Sequence, residues 1–191
     1  MHLKLKQLTA AAVVVLMSLT AMASELADKL KQPNHALLMR HALALGTGDP
    51  AGYTLADCAS QRNLDAQGRQ QALRTGQWLQ TQGIQKAMVL TSPWCRCKDT
   101  ANLLGYGQPE VEPAIGSFFE ASQEAPEFTR RLQKRLAQLG STKGDKALIL
   151  VTHHVNILDY MGSHVGSGEM VLVQFDAQGK LISAKRYPSP L

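Results

Sequence analysis

Three apolar segments of this 191-residue chain each lead into side chains that could take part in catalysis. The first ends in Arg40 and His41, the second runs into Arg96, and the third ends in His153 and His154. Guanidinium groups present planar pairs of N–H donors that match phosphoryl oxygens. A neutral imidazole can attack phosphorus in line, and a second imidazole can stabilise the oxygens that gain charge. This combination predicts a pocket for phosphoryl chemistry.

Such a pocket also needs an unprotonated nucleophile and an acid for the leaving group. Nearby positive charge lowers the pKa of a histidine and so favours its neutral form. For the acid, Glu120 is the best placed carboxylate, because it follows the short predicted strand at 111–115. Glu124 is the second choice. Each candidate also has a plain structural interpretation, as a strand cap or a solvated charge. Their conjunction favours a site.

The elements that must position these groups are strands alternating with helices. We predict buried strands at 35–41, 87–92 and 146–153, and a short strand at 111–115. Helices are predicted at 24–34, from 65 onward, at 95–104, 127–139 and 156–161, and an edge hairpin at 169–176 and 180–187. The pattern predicts a three-layer α/β/α sandwich with a mostly parallel central sheet. Carboxyl ends of parallel strands converge on one crevice, so the candidate residues should meet there.

Four segments in order also resemble one protein family. They are Leu38-Met39-Arg40-His41-Ala42, the stretch from Arg62 to Ala72, the stretch from Thr91 to Ala101, and Val151-Thr152-His153. Together they are similar to the motifs of the histidine phosphatase superfamily, and the short chain resembles its compact, exported bacterial members. The resemblance implies a phosphoglycerate mutase-like fold.

By matching position, the resemblance implies that His41 becomes phosphohistidine while Arg40, Arg96 and His153 hold the phosphoryl group. It implies a further substrate contact from Arg62. Two positions depart from the pattern: Ala42 stands where many members have glycine, and His154 stands where glycine is common. We expect the Ala42 methyl group to be tolerated and the His154 side chain to reach the substrate at the pocket rim.

The leading functional prediction is therefore a metal-independent phosphatase that transfers phosphate to His41 and then to water, with no cofactor. A phosphorylated small molecule or a phosphorylated protein would be the substrate, and phosphohistidine would suit an enzyme without an acid. An exported phosphate-binding protein with little turnover is one alternative. A phosphomutase is less favoured, because no obvious lid insertion is present to exclude water.

The N-terminus has the features of a secretory signal peptide. Lys4 and Lys6 precede an uncharged apolar run from 8 to 22, and a small-x-small site ends at Ala23. We predict cleavage after Ala23, a single mature domain at 24–191, and a periplasmic or secreted protein without stable membrane insertion. Cleavage lowers the formal net charge from +5 to about +3. With no Lys/Arg-rich run, nucleic-acid binding has no support.

Three cysteines, Cys58, Cys95 and Cys97, remain in the mature chain. Export to an oxidising compartment favours one disulfide and one leftover thiol. Cys95 and Cys97 are too close in sequence to pair comfortably, so Cys58 is expected to bond to either of them. Three reduced cysteines are the alternative, and the spacing does not favour a zinc site.

Overall fold

The computed structural model describes residues 25–190 of the protein. The predicted signal peptide, 1–23, with its cleavage site after Ala23, lies outside the described residues. Among the helices at 25–190, none is both long enough and apolar enough to cross a membrane.

The described chain alternates strands and helices. The strands are β1 (His35–Arg40), β2 (Ala87–Thr91), β3 (Glu110–Val111), β4 (Ala147–Thr152), β5 (Met170–Phe175) and β6 (Leu181–Tyr187). The helices are α1 (25–31), α2 (Ala66–Thr81), α3 (Cys95–Leu103), α4 (Ala125–Thr142) and α5 (His154–Met161). Short 3-10 turns lie at Cys58–Ser60, Pro113–Ile115 and Ser122–Glu124.

The strands form one sheet in the order β3-β2-β4-β1-β5-β6. The first four are parallel, and β5 and β6 are antiparallel additions at one side. The predicted mostly parallel sheet and terminal edge hairpin are therefore confirmed. In this register Arg40 lies opposite Thr152, and Thr91 lies opposite Val151. The carboxyl ends of β1, β2 and β4 thus reach the same edge, where the candidate residues follow.

Helices cover both faces of the sheet, because successive strand side chains point to opposite sides. In β1, Leu37 and Met39 pack into a core with α1, α2 and α3. Ala36 and Leu38 pack into a second core with α4 and α5. The predicted three-layer arrangement follows from this alternation.

Several predicted element boundaries differ from the structure by one to four residues, and those of β3 and α4 have clear physical causes. The short strand expected at 111–115 pairs only at Glu110–Val111, because Pro113 has no N–H for the ladder and begins a 3-10 turn capped by Glu112. Helix α4 begins before the predicted residue 127, since Pro126 is tolerated in a first turn, and it continues through Gly140. A Cβ at Gly140 would lie 2.2 Å from the Pro33 carbonyl oxygen, so close packing of the helix requires glycine there.

Candidate active site

A pocket of about 430 Å³ lies at the carboxyl edge of the parallel strands. Seven predicted site residues line it: Arg40, His41, Arg62, Arg96, Glu120, His153 and His154. The structure therefore brings together groups from β1, the loop after it, α3, the loop before α4, and the end of β4. Glu124, the second choice of acid, is exposed in the turn before α4 and is not among the lining residues.

His41 is buried and held in one tautomer. Its Nδ1 lies 2.7 Å from the carbonyl oxygen of Ala42. A carbonyl can only accept, so Nδ1 carries the proton and Nε2 keeps its lone pair. The next peptide N–H, that of Ala42, donates to Thr100 Oγ1 at 3.0 Å, which ties this turn to α3. The Ala42 methyl group is fully buried in the small cluster beside α2, so it is accommodated as expected.

Burial lowers the pKa of His41 well below its usual value, because the charged imidazolium would lose its water shell. The positive charges of Arg96, Arg40 and Arg62 lower this pKa further, against an opposing contribution from the Ala42 hydrogen bond. His41 is therefore a neutral imidazole at neutral pH, with an unprotonated nitrogen in a cationic pocket.

His153 lies beside His41, with ring centroids 5.6 Å apart in an edge-to-face arrangement. Its Nε2 is 2.7 Å from Ser92 Oγ, and the Trp94 ring packs edge-to-face at 5.2 Å. Burial lowers its pKa well below the usual histidine value, and the neighbouring His41 and Arg96 lower it further, since a charged His153 would be repelled by either of them when that group is charged. The ring is thus fixed and neutral, with Nδ1 3.5 Å from Arg96 Nη2.

Two arginines are each anchored through one terminal nitrogen. Arg40 Nη1 donates to the Val165 carbonyl at 3.0 Å, and Arg96 Nη1 donates to both carboxylate oxygens of Asp49 at 2.8 and 3.1 Å. The Nε of each arginine is buried without a hydrogen-bond partner among residues 25–190. Unpaired buried donors are costly, so two of them in one pocket indicate an anionic ligand.

Arg62 has a structural role in addition to its position in the pocket. Its Nε donates to the Gly48 carbonyl at 2.7 Å and its Nη1 to the Ala44 carbonyl at 2.6 Å. These bonds close the loop that follows β1 around the guanidinium. The substrate contact expected from Arg62 stays a prediction.

The two remaining candidates lie at the outer part of the pocket. Glu120 is exposed there, beside the exposed ring of Phe119. His154 is half-buried, with its ring centroid 5.9 Å from that of Phe119 and 6.5 Å from that of His164. Burial and the nearby Arg40 charge lower the pKa of His154. The positions suit contacts with a leaving group, and both roles stay predictions.

The disulfide joins Cys58 to Cys95, and this decides between the two partners left open by the sequence. It ties the loop after β1 to the start of α3, and closing 37 residues of chain is worth about 3–4 kcal/mol in the chain-entropy model. Cys97 is free and fully buried, and burial raises the pKa of its thiol to about 12. The leftover thiol is therefore protonated and unreactive.

Within residues 25–190, no three His, Cys, Asp or Glu side chains are grouped as metal ligands would be.

Three residues at the site were not singled out from the sequence: Asp49, Ser92 and Thr100. Asp49 stands before Pro50 and after two glycines, a composition that indicates only a turn. Ser92 and Thr100 stand within the segment that carries the second arginine. The available signal was that Ser92 ends a buried strand, as His41 and His153 do.

Comparison with known proteins agrees with this geometry. The family model for the histidine phosphatase superfamily (branch 1) matches residues 36–116, which include His41, Arg62 and Arg96. No curated protein matches the chain significantly.

Solved structures share the fold at low sequence identity. The protein histidine phosphatase SixA, complexed with tungstate, is 19% identical with a TM-score of 0.55, covering 81% of this chain and 97% of that one. A mycobacterial glucosyl-3-phosphoglycerate phosphatase complexed with VO3 is 14% identical with a TM-score of 0.62, covering 82% and 100%. Phosphoserine phosphatase from Entamoeba histolytica, complexed with 3-phosphoglyceric acid, is 15% identical with a TM-score of 0.56, covering 78% and 93%.

Residues 36–116 thus match the model of the histidine phosphatase superfamily (branch 1), and the described chain shares its fold with solved phosphatase structures. The fold likeness also confirms the predicted phosphoglycerate mutase-like architecture.

The two buried neutral histidines predict an acid-sensitive fold. In the unfolded chain His41 and His153 titrate at their usual pKa near 6.5, whereas in the folded protein both pKa values are lowered. Below pH 6.5 the unfolded state binds more protons, so stability is fully present above that pH and falls as the pH falls. We expect the thermal unfolding midpoint to decline from pH 7 to pH 5, and the decline to shrink in a His41→Gln/His153→Gln variant. An unchanged slope in the double variant would contradict the assignment of both histidines as buried and neutral.

Proposed function

We propose that this protein is a metal-independent phosphatase that hydrolyses a phosphate monoester, or phosphohistidine, through a covalent phosphohistidine on His41. The observation that carries the proposal is a buried, neutral His41 with an unprotonated Nε2, in a pocket lined by two arginines whose Nε donors have no partner among residues 25–190. A phosphoryl group placed there would meet both a nucleophile and complementary charge.

In the first step the Nε2 lone pair of His41 attacks phosphorus as the bond to the leaving-group oxygen breaks. Nδ1–H continues to donate a hydrogen bond to the Ala42 carbonyl, which stabilises the positive charge that develops on the ring. Arg40, Arg96 and His153 surround the equatorial oxygens as charge spreads over them. The leaving oxygen takes a proton from Glu120 or from water.

In the second step water attacks the phosphoryl group on His41. The N–P bond breaks, its electron pair returns to Nε2, and the proton lost by water passes to the carboxylate of Glu120 or to solvent. The products are inorganic phosphate and neutral His41. Because the ring nitrogen recovers its lone pair, the pocket is ready for another cycle.

The substrate class follows from the outer part of the pocket. An exposed Glu120 can protonate an alkoxide leaving group, as a monoester requires, whereas phosphohistidine has a better leaving group and needs less help. The solved structures that share the fold include both kinds, a protein histidine phosphatase and phosphatases of small phosphorylated molecules. We favour the monoester, because the carboxylate lines the pocket. The predicted signal peptide and the Cys58–Cys95 disulfide support a periplasmic or secreted location.

Replacing His41 with alanine tests the nucleophile. We expect His41→Ala to lower the turnover of p-nitrophenyl phosphate by at least 1,000-fold, because the variant lacks the nitrogen that is proposed to attack phosphorus. The control His164→Ala, an exposed histidine outside the pocket lining, should keep activity within about twofold. Wild-type turnover should be unchanged by EDTA.

Turnover that persists in His41→Ala would contradict the covalent mechanism. A wild-type protein that binds phosphate or vanadate without any turnover would instead support the phosphate-binding alternative.

Replacing Glu120 with glutamine tests the proton donor by comparing leaving groups. The rate compared is kcat/KM, which ends at departure of the leaving group and leaves out the later attack of water, in which Glu120 is also proposed to act. With p-nitrophenyl phosphate, whose phenolate leaves readily, we expect kcat/KM within about threefold of wild type. With an alkyl monoester such as phosphoserine, we expect a loss of about 100-fold or more, because the alkoxide needs an acid. Glu124→Gln, an exposed acid outside the pocket lining, should alter neither rate. Equal effects on the two substrates would exclude Glu120 as the acid.

A further inference from the structure

Asp49 is a buried carboxylate inside a pocket that is otherwise arranged for an anion. Its side chain is only 5% exposed, and it lines the same pocket as Arg40, Arg62 and Arg96. A carboxylate there repels a phosphoryl group, so its presence needs a reason beyond charge complementarity.

The hydrogen bonds of Asp49 connect three segments of the site. Its Oδ1 accepts from the Arg62 backbone N–H at 3.0 Å and from Arg96 Nη1 at 2.8 Å. Its Oδ2 accepts from Trp94 Nε1 at 3.1 Å and from the same Nη1 at 3.1 Å. The carboxylate is thus satisfied by donors that converge on it from the loop and from the start of α3.

The consequence for Arg96 is geometric. A guanidinium group is planar, so holding Nη1 against a fixed carboxylate sets the direction of the other two nitrogens. Those nitrogens are Nε, which is buried without a partner in the described chain, and Nη2, which lies 3.5 Å from His153 Nδ1. The Nε–Nη2 edge is the edge that can donate two parallel hydrogen bonds to a phosphoryl group.

We propose that Asp49 is a positioning residue that holds Arg96 so that its Nε–Nη2 edge faces the phosphoryl oxygens. This inference rests on the proposed function, since it assigns Asp49 a role in the same phosphoryl site. Asp49 does not touch the reacting atoms and acts through Arg96.

Asp49 also holds the loop after β1 in place through its bonds with Arg62 and Trp94, and the test must separate this tethering role from the positioning of Arg96. The Cys58–Cys95 disulfide tethers the same loop to the same helix without touching the Arg96 guanidinium. A variant that lacks the disulfide, Cys58→Ala/Cys95→Ala, is therefore the matched control for loosening the loop alone.

A double-mutant cycle tests the proposal, with orthovanadate binding measured by calorimetry so that no turnover is needed. We expect Asp49→Asn to weaken vanadate binding at least tenfold and Arg96→Ala to do the same or more. In the Arg96→Ala background, Asp49→Asn should cause no further loss, or a small gain, because the carboxylate then only repels the anion. By contrast, removing the disulfide from the Arg96→Ala protein should weaken vanadate binding by the same factor as removing it from the wild-type protein.

If the double variant loses vanadate affinity by the product of the two single-variant factors, the proposal is overturned and Asp49 is only a loop tether. Unfolding midpoints are measured for every variant, and if Asp49→Asn is unfolded at the assay temperature the cycle uses Asp49→Ser, which keeps an oxygen acceptor. Failure of the proposed function has a different signature, since the wild-type protein would then not hydrolyse p-nitrophenyl phosphate, whether or not it binds vanadate, whereas the cycle depends on vanadate binding alone.

Discussion

The hydrogen bond from His41 Nδ1 to the Ala42 carbonyl is the interaction on which the rest of the site depends. It places the ring proton on one nitrogen, and burial among arginines keeps the other nitrogen unprotonated. The peptide that follows His41 is itself fixed, because the Ala42 N–H donates to Thr100 of α3. The parallel sheet places His41 at the end of β1, and helix α3 holds the peptide that follows it.

The loop after β1 contributes as much as the strands do. It brings Asp49 and Arg62 into the pocket, and the disulfide, the Arg62 bonds to loop carbonyls and the Asp49 contacts hold it there. Gln61 adds a further tie, because its side-chain oxygen accepts from the Cys95 N–H at 2.9 Å. A long loop with so many fixed contacts is typical of one that forms a binding wall.

Much of the architecture was predictable because it rests on local patterns. Short apolar runs predicted β1, β2 and β4, and the rule that parallel strand ends converge predicted that Arg40, His41 and His153 would meet. The parts that could not be predicted depend on long-range contacts. Asp49 lies 47 residues from Arg96 in sequence, and Gly140 is required by the Pro33 carbonyl. The choice between Cys95 and Cys97 depended on the rotation of α3, which points Cys97 into the core and Cys95 toward the loop.

Trapping the covalent intermediate tests the central claim most directly. Wild-type protein is mixed with a phosphate monoester, quenched within milliseconds under denaturing alkaline conditions that preserve phosphohistidine, and mapped by mass spectrometry. We predict an acid-labile phosphoryl group on the peptide that contains His41, which disappears when the substrate is exhausted. Turnover at a normal rate with no phosphoryl group on His41 at any time, or with the group on His153 instead, would contradict the proposed mechanism.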